Sequence, residues 1–311
     1  MIVHLATYPR SGNSLLKQLV VWNFHFLTIS PKANPDLRNV IQGILAVLPT
    51  CTMTPTPAAP GESDGQLIWN ERTAIYQWPG ESRRRYVLLD PDEAHSPDIR
   101  RSLAGEDEFF FVKTHELPFD EYFPGEYVLQ HVRHPGAALW SYFRYLVDFK
   151  FRKGLSGKFL GGPAPTLENV IAGAFTDWSD YHARWRSAGE RLGERYLCLG
   201  FEATQENPLR SIERIADFLS LPVRSQELPD FEKYRTRFEG NDLRGRSDGY
   251  ETFFSGRQLE LLWESHSAMA ESFGFTEPDF ALAAPDEQIR RLGALIDSAW
   301  ESRKAAAQNR A

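Results

Sequence analysis

A mostly apolar run, Ile2 to Ala6, gives way at Thr7 to TYPRSGNSLL and passes straight into a helix-like apolar segment. Strand, tight loop and helix start therefore follow one another without a spacer. The first N–H groups of a helix have no intrahelical partner, and the helix dipole places roughly half a positive charge there. Gly12 permits close backbone approach, Ser11, Asn13 and Ser14 add short polar side chains, and Arg10 adds a fixed charge that can fork onto an oxyanion. The segment suits phosphate, and the chain is expected to handle a phosphorylated nucleotide. A plain strand-to-helix turn with polar caps would have the same composition.

The loop departs from the nucleotide-triphosphate pattern G-x-x-x-x-G-K-[ST], which needs an earlier glycine and a lysine where Gly12 is followed by Asn13. Ordinary ATPase or GTPase chemistry is therefore disfavoured.

With 311 residues, 42% hydrophobic and 25% charged, the chain can bury one sizeable core, with or without a helical elaboration. A net charge of −7 argues against wholesale binding to nucleic acid, anionic lipid or a heavily sulfated polymer, while leaving room for a local basic cleft. Cys51 and Cys198 are too few and too far apart for a disulfide framework or a metal site, and read as buried reduced thiols. Lys17, Gln18, Asn23 and His25 interrupt the apolar stretch from Leu15 to Ile29. It therefore reads as neither a leader nor a membrane span, and a cytoplasmic protein is expected.

Strands and helices alternate along the chain. A helix is expected from about Gly12 to Leu27 and a weaker one near Leu37 to Leu48. The Pro- and Thr-rich piece at 49–65 reads as a mobile loop. Tyr86 to Leu89, Phe109 to Val112, Tyr127 to Val132 and Tyr196 to Leu199 are continuously apolar enough for buried parallel strands. Pro135 is placed to open one helix, Asn207-Pro208 opens another, and Arg257 to Ser272 forms a third. The tail at 285–310 reads as a helix with Ile289, Leu292, Leu295, Ile296 and Trp300 on one face, packed on the body or on a partner. The expected architecture is a single α/β domain over residues 1–311, three-layer αβα around a central parallel sheet.

Two further clusters align with the loop. In FFFVKTHELP an apolar strand ends in Lys113, Thr114 and His115, at the strand end where open α/β sheets place ligands. In YVLQHVRHPGAALWSYF, Arg133 leaves a strand and Ser141 lies eight positions later on the next helix. Arg133 and Ser141 could share an anion. Each residue alone reads better as structural.

Taken together, in this order and at these separations, the three segments resemble the cytosolic-type PAPS-dependent sulfotransferases, P-loop NTPase-like in fold, whose donor is 3′-phosphoadenosine 5′-phosphosulfate. TYPRSGNSLL is similar to their TYPKSGTTW loop, VKTH to the strand carrying their histidine, and Arg133 with Ser141 to their 3′-phosphate pair. YLCLGFEATQENPLRSIERIADFLSLP from Tyr196 and LRGRSDGYETFF from Leu243 resemble two later stretches, so the match runs from Thr7 to about Phe254. There are departures. Arg10 stands where those enzymes usually have lysine, Leu15 replaces the tryptophan that stacks on adenine, Phe201 replaces a tyrosine near the base, and Leu243 falls where an arginine would be.

The resemblance implies PAPS as sulfuryl donor and PAP as product, with no metal. It implies a donor site of Arg10, Ser11, Gly12, Asn13, Ser14, Leu15, Arg133, Ser141, Phe201, Arg244, Gly245 and Arg246. His115 would be the base, Lys113 would stabilise the transferred group, and Arg10 would hold the leaving phosphate. Glu116 is an alternative base, although strand alternation would turn it away from Lys113. The acceptor would be a hydroxyl or amine of a small molecule, lipid or sugar, and homodimerisation is open. Trp140, Tyr142, Phe143, Tyr145, Phe149, Phe151, Phe159, Trp178, Tyr181 and Trp185 line an acceptor pocket or, for more than half of them, fill the core. The run Arg83 to Arg85 reads as solvated surface. A P-loop small-molecule kinase and a catalytically inactive nucleotide-binding member of the same fold are the two alternatives.

Overall fold

A computed structural model describes residues 1–33, 36–56, 72–147, 162–228 and 247–308. Five parallel strands form the main sheet: β1 (Ile2–Thr7), β2 (Thr28–Ile29), β6 (Phe110–Thr114), β7 (Glu126–Val132) and β8 (Tyr196–Gly200), in the order β2-β6-β1-β7-β8. β1 lies in the middle and is buried along its whole length, as expected for a strand covered on both faces. Its register sets Leu5 beside Lys113 and Ala6 beside Thr114 on one side, and Thr7 beside His131 on the other.

Alternation along these strands sorts their side chains into two helical layers. Val3, Leu5, Phe111, Leu129 and Leu199 face α1 (Asn13–Phe24) and α9 (Pro208–Leu219), reached through the short α8 (Phe201–Glu206). On the other face Ala6, Val128 and Val132 pack with α5 (Pro135–Arg144), α6 (Leu167–Ile171), α7 (Trp178–Leu192) and α10 (Gly256–Ser272). Ile2, Phe110 and Val112 meet α2 (Leu37–Leu45), α3 (Pro91–His95), α4 (Pro97–Ala104) and a small antiparallel sheet. The architecture is α/β, a central parallel sheet between helical layers.

The helix punctuation follows local chemistry. Asn207 caps α9 by accepting from Arg210 N–H at 3.1 Å, and Pro135 and Pro208 occupy first-turn positions whose N–H would be unpaired anyway. α1 stops at Phe24 because His25 adopts a left-handed conformation with φ 57°, and its N–H satisfies the Val21 carbonyl at 3.1 Å.

Three expectations are corrected. Tyr86 to Leu89 is no parallel strand: β5 (Arg84–Val87) pairs antiparallel with β4 (Thr73–Gln77), which pairs with β3 (Thr52–Pro55), in a separate sheet. A four-residue apolar run reads alike in either sheet. Part of the expected loop at 49–65 is β3, an edge strand that buries Met53, exposes Thr52 and Thr54 and tolerates Pro55; residues 57–65 lie outside the described residues. In α11 (Asp286–Gln308) Ile296 and Trp300 are buried and Ile289 shares a small void with Phe143 and Leu167, but Leu295 is 69% exposed. One residue of helical rotation, about 100°, carries it off that face.

The arginine run is also more built-in than a solvated surface. Arg84 donates to the carbonyls of Phe24, at 3.2 Å, and His25, and lies 3.9 Å from the Phe26 ring centroid. Arg85 pairs with Glu106 and Glu108. Cys51 is buried and Cys198 half-buried, both as free thiols.

The N-terminal end of the sheet is pinned by a buried charge network. Glu126 accepts from Arg100 Nε and Nη2, both at 2.8 Å, from Phe123 N–H at 2.7 Å, and lies 2.8 Å from His4 Nε2. Burial alone would raise its carboxyl, but the hydrogen bonds from His4 and Arg100 outweigh it and hold it down to about 2. Glu126→Gln strands the Arg100 charge in the interior and should cost about 3 kcal/mol of unfolding free energy. Urea unfolding at pH 7 measures it; a loss within error of zero would show that the network does not hold this end of the sheet.

Candidate active site

β1 ends at Thr7, and the chain turns sharply as Ser11 N–H donates to the Tyr8 carbonyl at 3.0 Å. Arg10 takes φ 70° and Gly12 φ 89°. A left-handed arginine costs roughly 1–2 kcal/mol and needs support. Arg133, leaving β7, supplies it by donating from Nη1 to the Arg10 carbonyl at 3.1 Å. No side chain caps α1, so its first N–H groups stay directed into the space beyond the loop. Ser11 is fully buried, and among the described residues its Oγ has no hydrogen-bond partner.

Above the loop opens a cleft of about 1890 Å³ at the C-terminal ends of β1, β6 and β7. Arg10, Gly12, Asn13, Ser14, Leu15, Lys113, His115, Arg133, Ser141 and Phe201 all line it, brought together from four separate stretches of sequence. Arg10 Nε donates to Ser141 Oγ at 3.2 Å. Arg133 Nε donates to Ser247 Oγ at 3.2 Å, and its guanidinium lies 4.5 Å from the Phe201 ring centroid. Ser141 is thus engaged by Arg10, from the loop. Arg244, Gly245 and Arg246 lie outside the described residues; Ser247 is the first described residue after them.

His115 is held by β1. Its Nδ1 lies 2.7 Å from the Thr7 carbonyl and 3.1 Å from Thr7 Oγ1, which itself accepts from Asn13 Nδ2 at 3.1 Å. Because a carbonyl only accepts, Nδ1 carries the proton, and in the neutral ring Nε2 keeps its lone pair. Burial first, and then the charge of Lys113, pulls the imidazole down to about 4. Burial likewise lowers the Lys113 ammonium, with Arg10 and Lys32 adding to the effect, and brings the Arg133 guanidinium to about 10. The Arg133 guanidinium remains a cation at neutral pH.

Glu116, expected to point away from Lys113, lines the same cleft. β6 ends at Thr114, so period-two alternation no longer governs its direction. The aromatic stretch divides. Trp140, Phe143, Trp178, Tyr181 and Trp185 are core, Tyr142 and Tyr145 line the cleft, and Phe149, Phe151 and Phe159 lie outside the described residues.

Three contributors escaped the sequence reading. Thr7 orients His115 from the last position of β1. Buried His131, two residues before Arg133, presses against Gly12 from beneath. Lys17 lines the cleft four residues after Asn13, and that one-turn spacing was the available signal.

The cleft thus gathers cations from several stretches of sequence around a neutral histidine. The chain belongs to the sulfotransferase domain family, whose model matches residues 2–240. No curated protein matches its sequence. Similar solved structures include mouse sulfotransferase SULT7A1 complexed with PAP, at 15% identity and TM-score 0.49, covering 86% of this chain and 84% of that one. Retinol dehydratase in complex with androsterone and inactive cofactor PAP has 15% identity and TM-score 0.47, covering 89% and 82%. A sulfotransferase from Alicyclobacillus acidocaldarius has 17% identity and TM-score 0.35, covering 78% and 92%.

A Cβ at Gly12 would stand 2.3 Å from Phe201 Cδ2 and 2.9 Å from His131 Cε1, whereas one at Gly80, with φ 77°, would meet nothing. Both Gly→Ala changes pay the same backbone strain, but only Gly12→Ala overpacks. It should lose about 1–3 kcal/mol more than Gly80→Ala in urea unfolding; equal losses would mean that the loop is not seated on Phe201 and His131.

Proposed function

We propose that this protein is a sulfotransferase that moves a sulfuryl group from PAPS to an acceptor hydroxyl or amine and releases PAP. The observation that carries the reading is a neutral imidazole with its Nε2 lone pair free for a proton, beside Lys113 and between the loop and the cleft.

The residues present suit such a donor. The uncapped start of α1 presents backbone donors to an anion, with Arg10 beside them, whereas Ser11 lies buried beneath the cleft lining. Arg133, Ser141 and Ser247 form a second anion site on the β7 side, and Phe201 and Leu15 offer apolar surface for a base. Arg10 and the α1 amides would hold the 5′-phosphate end, and Arg133 with Ser247 and Ser141 the 3′-phosphate. When bound, the donor supplies an electrophilic sulfur on a phosphate leaving group.

The chain's own residues do the rest. His115 takes the acceptor proton at Nε2, since Nδ1 is committed to the Thr7 carbonyl. A positioned base contributes roughly 10²- to 10⁴-fold. Lys113 neutralises charge on the group in transit, and Arg10, which carries no dissociable proton at neutral pH, acts on the leaving phosphate by charge alone. A fixed set of cations already in place needs little reorganisation during transfer. The acceptor is a small molecule, a lipid or a sugar.

PAP should raise the thermal midpoint more than ATP with magnesium does; the opposite order would favour a small-molecule kinase. His115→Ala should lower sulfuryl transfer by about 10²-fold or more while PAP affinity stays within about threefold. Unchanged turnover would remove His115 from the mechanism.

The pH profile is a separate check. The folded imidazole is depressed to about 4, so the base form is lost only as pH falls through about 4. With kcat/KM for the donor reporting the free enzyme, the acid limb should lie below pH 5. A limb near the ordinary histidine value of about 6.5 would contradict the assignment.

A further inference from the structure

The cationic lining of the cleft extends past the residues that a PAPS site uses. Sheet order separates the two ends. Arg133, Ser141 and Phe201 come from β7 and the helices beyond β7 and β8, whereas Ser30 and Lys32 follow β2, on the far side of β6. Lys17 reaches to this second end from α1, where its Nζ donates to Ser30 Oγ at 3.2 Å. Among the described residues no carboxylate lies within ion-pair distance of it. A hydroxyl is a poor counterpart for a half-buried ammonium, which normally needs an anion.

The surrounding charges sharpen the point. Burial pulls the Lys17 ammonium down to about 8, and Lys113 and Lys32 add like-charge repulsion. Two carboxylates line the same cleft among the described residues, Asp36 and Glu116. Asp36 is occupied as the cap of α2, with Oδ1 accepting from Arg38 and Asn39 N–H and Oδ2 from Asn39 Nδ2. Beyond Lys17 the wall turns apolar. Val21 and Trp22 of α1 face Val40 and Ile44 of α2 and the following Val47, all only partly buried where the cleft opens onto them.

We propose that the acceptor is an acidic amphiphile: Lys17, Lys32 and Ser30 bind its anionic group, a carboxylate or phosphate ester, and the α1–α2 wall takes its hydrocarbon. This rests on the sulfotransferase reading of the cleft, with the donor on the β7 side and His115 between the two ends. The anion then lies on the acceptor side of His115, and Lys17 acts in selecting the acceptor and not in holding PAP.

The test measures binding to PAP-saturated protein by calorimetry, with octanoate, octyl phosphate and octanol as probes. One or both anions should bind at least tenfold more tightly than octanol, and the better anion identifies the headgroup. Lys17→Gln should bring anion and alcohol within about twofold while leaving PAP affinity unchanged, and Ser30→Ala should weaken anion binding several-fold in the same direction. Octanol binding as tightly as both anions would overturn the proposal. So would Lys17→Gln weakening PAP, which would move Lys17 to the donor site. Failure of PAP itself to bind would instead strike at the sulfotransferase reading, and the two failures are distinguished before any amphiphile is added.

Discussion

Parallel pairing of β6, β1 and β7 is the constraint on which the site depends. Adjacent parallel strands end on the same side, so Thr114, Thr7 and Val132 bring the residues that follow them to one edge of the sheet. The anion loop follows β1, Lys113 and His115 close β6, and Arg133 leaves β7. His115 and Arg133 each lie more than a hundred residues from the β1 segment, yet hydrogen bonds of about 3 Å connect them to Thr7 and Arg10. The opposite end of the sheet is fixed by Glu126, Arg100 and His4, so the strands cannot slide without breaking a buried charge network.

Electrostatics in the cleft work by concentration. Arg10, Lys17, Lys113 and Arg133 are held in a partly desolvated space, and burial depresses each of them. The same burial, reinforced by the charge of Lys113, keeps His115 neutral. A protein with a net charge of −7 has therefore gathered cations in one cleft. Part of the cost is visible in the backbone, where Arg10 sits left-handed and is tied down by Arg133. Arg10 ties the loop to the β7 side, touching Ser141 with its side chain and Arg133 with its carbonyl.

Much of this was legible because it is local. Strand, loop and helix start at Thr7, the prolines that open α5 and α9, and the apolar strands β6, β7 and β8 are written in contiguous residues. Errors fell where local patterns are ambiguous. Tyr86 and Val87 look like a parallel strand but pair antiparallel with β4, and Leu295 fits a loose apolar stripe yet faces out. Glu116 was misdirected because alternation was carried two residues past the end of its strand.

By itself the sequence determined the strand–loop–helix turn after Thr7, the residue types around it and the α/β layering, since hydrogen-bond capacity, φ preferences and hydrophobic period act over a few residues. Tertiary structure alone decided which distant groups meet. Thr7 sets the tautomer of His115, Arg10 takes Ser141 from the loop side, and His131 with Phe201 fills the space that forces a glycine at position 12. Lys17 shows the difference most plainly. In the sequence it interrupts an apolar helix, and only the order of strands in the sheet turns that interruption into a cation facing Ser30 across the cleft. Through-space desolvation and Coulomb terms depend on distances that a one-dimensional pattern does not contain.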